Sequence, residues 1–402
     1  MTYKSAIRNA YFFGIFALGA STPFLPVFLK ERLGFDNREL ALILMVRPAM
    51  ALLGQPFWSW RADSTRSRTR LAATASVLSA LCFPLVLAGH RFPAVLLFMA
   101  LSAFFFMPFN SMSDTITFDY LGASRRNHFG SFRIFASLGF FAAVILAGPL
   151  YDRLGLRWLF LLFSLGMLIS AGFIRQVPSR RRQTRSVGDW RSLLAFLRKR
   201  NVLFFILAVL VSETANQMAY VFLSVYAKSL GANNAQTGWI WATATGMEMI
   251  TMAFMPSIIR RLGLKNVLVL GTFFVLFRWM PFAFVGNWWM LLPFQCFHLI
   301  TLTFVYVGAA IFMDAEAPPG IRFSAQAFFS TFVLNGSALI GTLLGGLISQ
   351  RHGYAPIFFV SGALGVVSAA IMAFFVRNPS RIHLPGGESA LHPRTDPPSE
   401  PG

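Results

Sequence analysis

Apolar residues in this chain gather in long unbroken runs, with little of the alternation expected of strands. Twelve runs stand out: 8–29, 39–60, 71–89, 93–118, 129–150, 156–175, 201–228, 237–260, 266–285, 287–312, 323–349 and 354–376. A helix rising 1.5 Å per residue needs about 20 apolar residues to cross ~30 Å of hydrocarbon. Each run therefore predicts one transmembrane helix. Most linkers are short and broken by Gly, Pro or charge, as in Leu33-Gly34-Phe35-Asp36-Asn37. One, 176–200, is long and polar and contains Pro178-Ser179-Arg180-Arg181-Arg182-Gln183. The expected organisation is an N-terminal six-helix bundle (1–175), a linker (176–200), a C-terminal six-helix bundle (201–376) and a Pro- and Gly-rich disordered tail (377–402). The opening MTYKSAIRNA runs into the first apolar stretch without a small-residue cleavage site, which predicts a first membrane helix rather than a cleaved signal.

The halves echo each other. Gly148-Pro149-Leu150-Tyr151-Asp152-Arg153-Leu154-Gly155 aligns with Gly346-Leu347-Ile348-Ser349-Gln350-Arg351-His352-Gly353, and Leu33-Gly34 aligns with Leu230-Gly231. An offset of half the chain implies a duplicated six-helix unit. Such repeats place a solute site near mid-membrane between the halves, with access alternating by rocking. The predicted fold class is an all-α membrane protein of twelve transmembrane helices in two pseudo-symmetric bundles.

Charge orients the chain. Of its 35 Lys and Arg, 24 fall in the segments on the N-terminal side, 8 on the opposite side, and Arg47, Arg133 and Arg278 inside helices. The positive-inside rule then puts both termini and the linker in the cytoplasm of a plasma membrane, expected to be a bacterial inner membrane. The same bias accounts for the net charge of +20 without a nucleic-acid partner. With hydrophobic residues at 56% and charged residues at 12%, the chain could not cover a water-facing surface. Cys82 and Cys296 lie far apart in apolar runs and read as small core residues. No nucleotide loop, zinc pattern or nucleophile triad appears, so neither an enzyme nor a cofactor is expected. The partners expected are a small solute, protons and the bilayer, acting on a monomer.

Ionisable side chains within the membrane are costly and usually functional. Glu213, Glu248, Arg278 and His298 lie about 12, 11, 12 and 11 residues into helices seven to ten, hence at one level, roughly 17–18 Å from their starting faces. A carboxylate that is protonated in one state and paired with Arg in another can carry a proton, and imidazole can relay it. This set is the expected proton-coupling cluster; a structural ion-pair network is the alternative, and Glu213 in particular could simply be bonded to Asn216 or Gln217. In the N-half, Asp114 and Arg133 lie at equal depth on adjacent antiparallel helices and are expected to form a gate or structural ion pair, with Asp119 as a competing partner. Asp63 and its following arginines suit a cytoplasmic latch. Arg47 could hold an anionic solute bidentately, or snorkel, or pair with Glu31 or Glu39. Asn216, Gln217 and Gln326 are further candidate solute-binding groups. Trp239/Trp241 and Trp288/Trp289 read as an interfacial belt.

Several stretches resemble the major facilitator superfamily, and within it the phenylpropionate permease family, which is similar to lactose permease. Pro23-Phe24-Leu25-Pro26 looks like that family's PFLP; Gln55-Pro56-Phe57-Trp58 with Ala62-Asp63 also matches. Phe129-Gly130-Ser131-Phe132-Arg133-Ile134-Phe135-Ala136-Ser137-Leu138-Gly139-Phe140 looks like its YGxxRxWGSxGF, with Phe135 in place of Trp. Glu248, Arg278-Trp279, Gln295 with His298, and Ala325-Gln326 fall at the family's expected helices. The resemblance covers residues 8–376 and implies proton-driven symport, with Glu248, Arg278 and His298 similar to the coupling residues of lactose permease. It implies small aromatic acids as solutes, with sugars or nucleosides carried by relatives. The function expected is proton-coupled symport of a small organic solute, an aromatic or other apolar monocarboxylate being favoured over a sugar. A proton-antiport exporter and a non-transporting receptor or assembly factor are the alternatives.

Overall fold

The computed structural model describes residues 2–65, 67–122, 128–178, 190–318, 320–379, 382–383 and 389–390. They form twelve long helical spans: α1 (Tyr3–Glu31), α2 (Asn37–Ala62), α3 (Arg68–Ala88), α4 (Phe92–Leu121), α5 (Gly130–Leu154), α6 (Trp158–Arg175), α7 (Arg200–Ser229), α8 (Asn234–Leu262), α9 (Leu264–Phe284), α10 (His298–Glu316), α11 (Ser324–His352) and α12 (Ala355–Phe375). Among the described residues, eleven of these are long and apolar enough to cross a membrane. The other, α8, has the length, at 29 residues, but carries Gln236, four threonines and Glu248 among its apolar residues. A short helix, Trp190–Leu197, precedes α7.

Matching punctuation starts and stops the spans in both halves. At α2, Asp36 accepts from the Glu39 amide while Glu39 accepts from the Asp36 amide. Asn233 and Gln236 repeat this reciprocal cap at α8. Gly155 and Gly353 end α5 and α11 at φ 91° and 79°, a conformation that a side chain would strain.

Packing repeats too. In the N-half, α1 packs on α5 and α6, α3 on α6, and α4 on α2 and α3. Adding six to every label gives the packing of the C-half. One hydrogen bond shows the repeat at atomic level. Ser170 Oγ donates to the Ala10 carbonyl at 2.8 Å between α6 and α1; Ser368 Oγ donates to the Ala208 carbonyl at 2.7 Å between α12 and α7.

The run 287–312 does not form one helix as expected. A 3-10 turn at Trp288–Met290 leads into a short helix, Leu291–Gln295, and α10 starts only at His298. Tight bonds from the Cys296 and Phe297 amides to the Pro293 and Phe294 carbonyls make the break. It sets Gln295 and His298 on either side of a bend. Of the segments expected to be linker and disordered tail, residues 179–189 and most of those beyond 379 lie outside the described set; Ile382–His383 pairs antiparallel with Ser389–Ala390.

The described hydrogen bonds and ion pairs between the halves all lie at the face opposite the N-terminus, here the far face. Asp152, at the end of α5, accepts 2.9 Å bonds from the amides of Asn234 and Ala235 at the start of α8. Gln350, at the equivalent position of α11, accepts a 3.1 Å bond from the Asn37 amide at the start of α2. Free amides at a helix start favour such acceptors. Asn37 also donates to the Ser349 carbonyl at 3.0 Å and accepts from the Tyr354 hydroxyl at 3.0 Å. Lys228 and Glu31 add an ion pair at 3.9 Å. The backbones meet closely there, Gly148 on Asn234, Gly238 on the Val144 carbonyl and Gly346 on Ala41.

Candidate functional site

Four spans of the C-half converge on one polar chain. On α7, Glu213, Asn216 and Tyr220 share a face by helical spacing. Arg278 of α9 is 0% exposed. Its Nε and Nη2 donate to Gln295 Oε1 at 3.2 and 2.8 Å, and its Nη1 donates to the Tyr220 hydroxyl at 2.6 Å and to Thr301 Oγ1 at 3.1 Å. The guanidinium also lies over the rings of Trp279, at 4.2 Å, and Tyr220, at 4.9 Å. Tyr220 continues the chain: its oxygen is 3.1 Å from His298 Nδ1. His298 Nε2 is 3.6 Å from Glu248 Oε2. Since the phenol accepts from Arg278, its own proton is free for Nδ1, which leaves the Nε2 proton facing Glu248 in the neutral ring. A second branch runs from Trp279 Nε1 to Asn216 Oδ1 at 2.9 Å and from Asn216 Nδ2 to Glu213 Oε1 at 3.2 Å.

The expected cluster of Glu213, Glu248, Arg278 and His298 thus comes together, but without the carboxylate on Arg278 that proton exchange was expected to use. Arg278 meets neutral groups, not Glu248, which faces His298 instead. The bend before α10 brings Gln295 and Thr301 to the guanidinium, and a buried planar donor set takes the nearest acceptors that fit its fork. Gln295 Nε2 remains buried without a hydrogen-bond partner among the described residues.

In the N-half the direct Asp114–Arg133 pair is also replaced. Tyr11 of α1 donates to Asp114 Oδ1 at 2.5 Å and accepts from Thr117 Oγ1 at 3.2 Å. Arg133 lies over the Tyr11 ring at 5.8 Å, and its Nη1 is buried without a hydrogen-bond partner among the described residues. The long phenol reaches between α4 and α5, and so separates two groups that are level in depth. Asp119, the competing candidate, pairs with Arg68 at 3.5 Å. Asp63 sits on the last turn of the helix Asn37–Ser64, and its side chain lies outside the described set. Tyr306 of α10 is 48% exposed and lies on the same helix as His298.

Arg47 is half-buried, donates from Nη1 to Thr22 Oγ1 at 3.1 Å and lies 4.9 Å over Phe106. Neither carboxylate considered for it is engaged with it: Glu39 caps α2 and Glu31 faces Lys228. Asn216 is consumed by the branch to Trp279, and Gln326 donates to the Ala310 carbonyl at 2.5 Å, just before the π-helix Phe329–Leu334. Gln217 is half-buried on α7 beside Gly341. Trp241 leaves the expected belt: its Nε1 donates to Ser224 at 2.9 Å and its ring stacks on Tyr220 at 5.8 Å. Trp239 and Trp288 stay together at 6.2 Å. Tyr11, Tyr220 and Thr301 were missed because a search for charge passes over neutral partners. The signal available was spacing, Tyr220 lying two turns from Glu213 and Thr301 one turn from His298.

Residues 5–360 match the family model described as MFS_1 like family. The maltose permease of Geobacillus stearothermophilus is 26% identical over 382 residues, 93% of this chain and 95% of that protein. The nucleoside permease NupG of Escherichia coli (strain K12) is 25% identical over 293 residues, 64% and 66% of the two chains. The crystal structure of the nucleoside transporter NupG superposes with a TM-score of 0.82 at 19% identity, over 94% of this chain and 100% of that one, a likeness of fold.

Proposed function

Since the chain belongs to the MFS_1 like family of multi-pass transporters, we propose that it carries a small organic solute by proton symport. The observation that supports coupling is the polar chain Glu248–His298–Tyr220–Arg278, buried at His298 and Arg278. It joins a carboxylate, an imidazole, a phenol and a guanidinium in sequence. Protonation of Glu248 removes the negative charge that faces the His298 Nε2 proton, and the change can be felt at Arg278 through the imidazole and one shared hydroxyl. The two six-helix halves, 1–175 and 201–376, act as rocking bundles joined by the linker 176–200, in a monomer. Both termini face the cytoplasm, by the charge asymmetry; the far face, now closed, is the outside.

The solute class favoured is an apolar or aromatic carboxylate. Arg47 supports it, since its guanidinium is held by Thr22 and Phe106 and has no carboxylate partner among the described residues. Arg133, with an unbonded Nη1, adds a second cation in the same half. A sugar or nucleoside is the second reading, supported by the named maltose and nucleoside permeases. Proteoliposome uptake under an imposed pH gradient separates the readings. A ring carboxylate should accumulate, and its amide, a disaccharide and a nucleoside should not. Uptake of the amide equal to that of the acid, or loss of nothing in Arg47→Gln, would defeat the anion reading. Accumulation that ignores the pH gradient would defeat symport, and outward pumping would establish antiport.

A further inference from the structure

We propose that the groove between α3 and α6 is a binding site for an anionic phospholipid, its headgroup held by Arg70 and Arg175. This rests on the membrane-spanning fold and not on the identity of the solute.

The two helices are antiparallel, and Ser164 Oγ donates to the Ala80 carbonyl at 2.7 Å, which fixes their register. From that bond it is ten residues back along α3 to Arg70 and eleven forward along α6 to Arg175. At ~1.5 Å per residue the two arginines come level, at the face that bears the N-terminus. They stand at one end of an open groove. Below them it is lined by small and apolar residues, among them Ala73, Val77, Leu168 and Gly172. Gly172 leaves the trough open: a Cβ built there would meet nothing within 4 Å. Leu168 is 40% exposed along the same wall.

Both arginines are exposed, and among the described residues no carboxylate pairs with either. Two unpaired guanidiniums above an apolar trough match one molecule in particular: phosphate oxygens at the membrane surface above an acyl chain. Basic pockets between membrane helices on the cytoplasmic side hold acidic headgroups in this manner. A zwitterionic lipid has the chain but no net charge, and free phosphate has the charge but no chain. The geometry uses both.

The test is native mass spectrometry of the detergent-solubilised chain titrated with phosphatidylglycerol, phosphatidylcholine or inorganic phosphate. Wild type should retain phosphatidylglycerol in preference to phosphatidylcholine, and phosphate alone should not be retained. Each arginine near the headgroup contributes roughly 5-fold in affinity, so Arg70→Gln with Arg175→Gln should weaken retention about 25-fold. Gly172→Leu fills the trough from an open position, keeps both arginines, and should also lower retention. Equal retention of the two lipids, retention unchanged in both variants, or retention of phosphate by itself would overturn the site.

Discussion

Arg278 donates its shortest hydrogen bond, at 2.6 Å, to the hydroxyl of Tyr220, and that same oxygen lies 3.1 Å from His298. One phenol therefore stands between the buried cation and the imidazole. Removing only its oxygen is the narrowest test of coupling. Tyr220→Phe should cut pH-driven accumulation at least ~10-fold while solute exchange stays within about 3-fold of wild type. A bond to a charged group is worth ~1.5–3 kcal/mol, so a modest fall in thermal stability is also expected. Accumulation and exchange falling together would make Tyr220 a binding or packing residue instead.

Glu248→Gln should abolish accumulation and leave exchange of pre-loaded solute partly intact. Its carboxylate faces His298 at 3.6 Å, and the amide keeps the shape but cannot take up a proton. Uptake against a gradient at the wild-type level would show that Glu248 is structural.

Tyr11→Phe should destabilise the N-half by ~1–3 kcal/mol, because Asp114 loses the hydroxyl that donates to it. Asp114→Asn in the Tyr11→Phe background should then cost little more, since the pair is already broken. Unfolding midpoints of the two single variants and the double variant measure this. Strictly additive losses would show that Asp114 is held by Arg133 and not through Tyr11.

Asp152→Ala should loosen the far face. Two backbone amides lose their acceptor, an effect of ~0.5–2 kcal/mol for a helix cap. Thiol labelling of a Thr245→Cys probe on α8, applied from the far face, should accelerate several-fold. Asp152→Asn, which keeps one acceptor oxygen, should fall between the two. Labelling unchanged in both variants would mean that the glycine contacts alone hold the face shut.

Gly238→Ala should act in the same direction by sterics. The new methyl would sit 2.2 Å from the Val144 carbonyl, a backbone atom that cannot swing aside. Slower solute cycling with faster labelling from the far face is the expected pair of results. Unchanged cycling would show that α5 and α8 can separate slightly at no cost.

Depth along a helix was readable from the chain; rotation about its axis was not. The runs of apolar residues gave the spans, because 1.5 Å per residue converts position directly into level. They placed Glu213, Glu248, Arg278 and His298 in one layer, and the repeat of Gly155 in Gly353 marked the two halves. Which atoms touch depends on azimuth and on breaks such as the bend before His298, and neither leaves a mark in composition. Charge counting looks to a carboxylate for Arg278 because it recognises only ions, whereas a buried guanidinium is satisfied as well by Tyr220, Gln295 and Thr301. Asp152 lies in a repeated segment and Asn37 in a short linker, but their role becomes visible only when the far ends of two distant helices meet.

The rim clamps share a turn but not a chemistry. On the α5–α8 seam a carboxylate holds two amides; on the α2–α11 seam the bonds are all neutral, Asn37 meeting Gln350, the Ser349 carbonyl and the Tyr354 hydroxyl. Charge-assisted bonds are roughly twice as strong as neutral ones, so the rim should part in a fixed order, at α2 and α11 first. The first water to enter from the far face would then arrive along α2, the helix that carries Arg47. An anion following that water would meet its counter-charge before the stronger seam had moved.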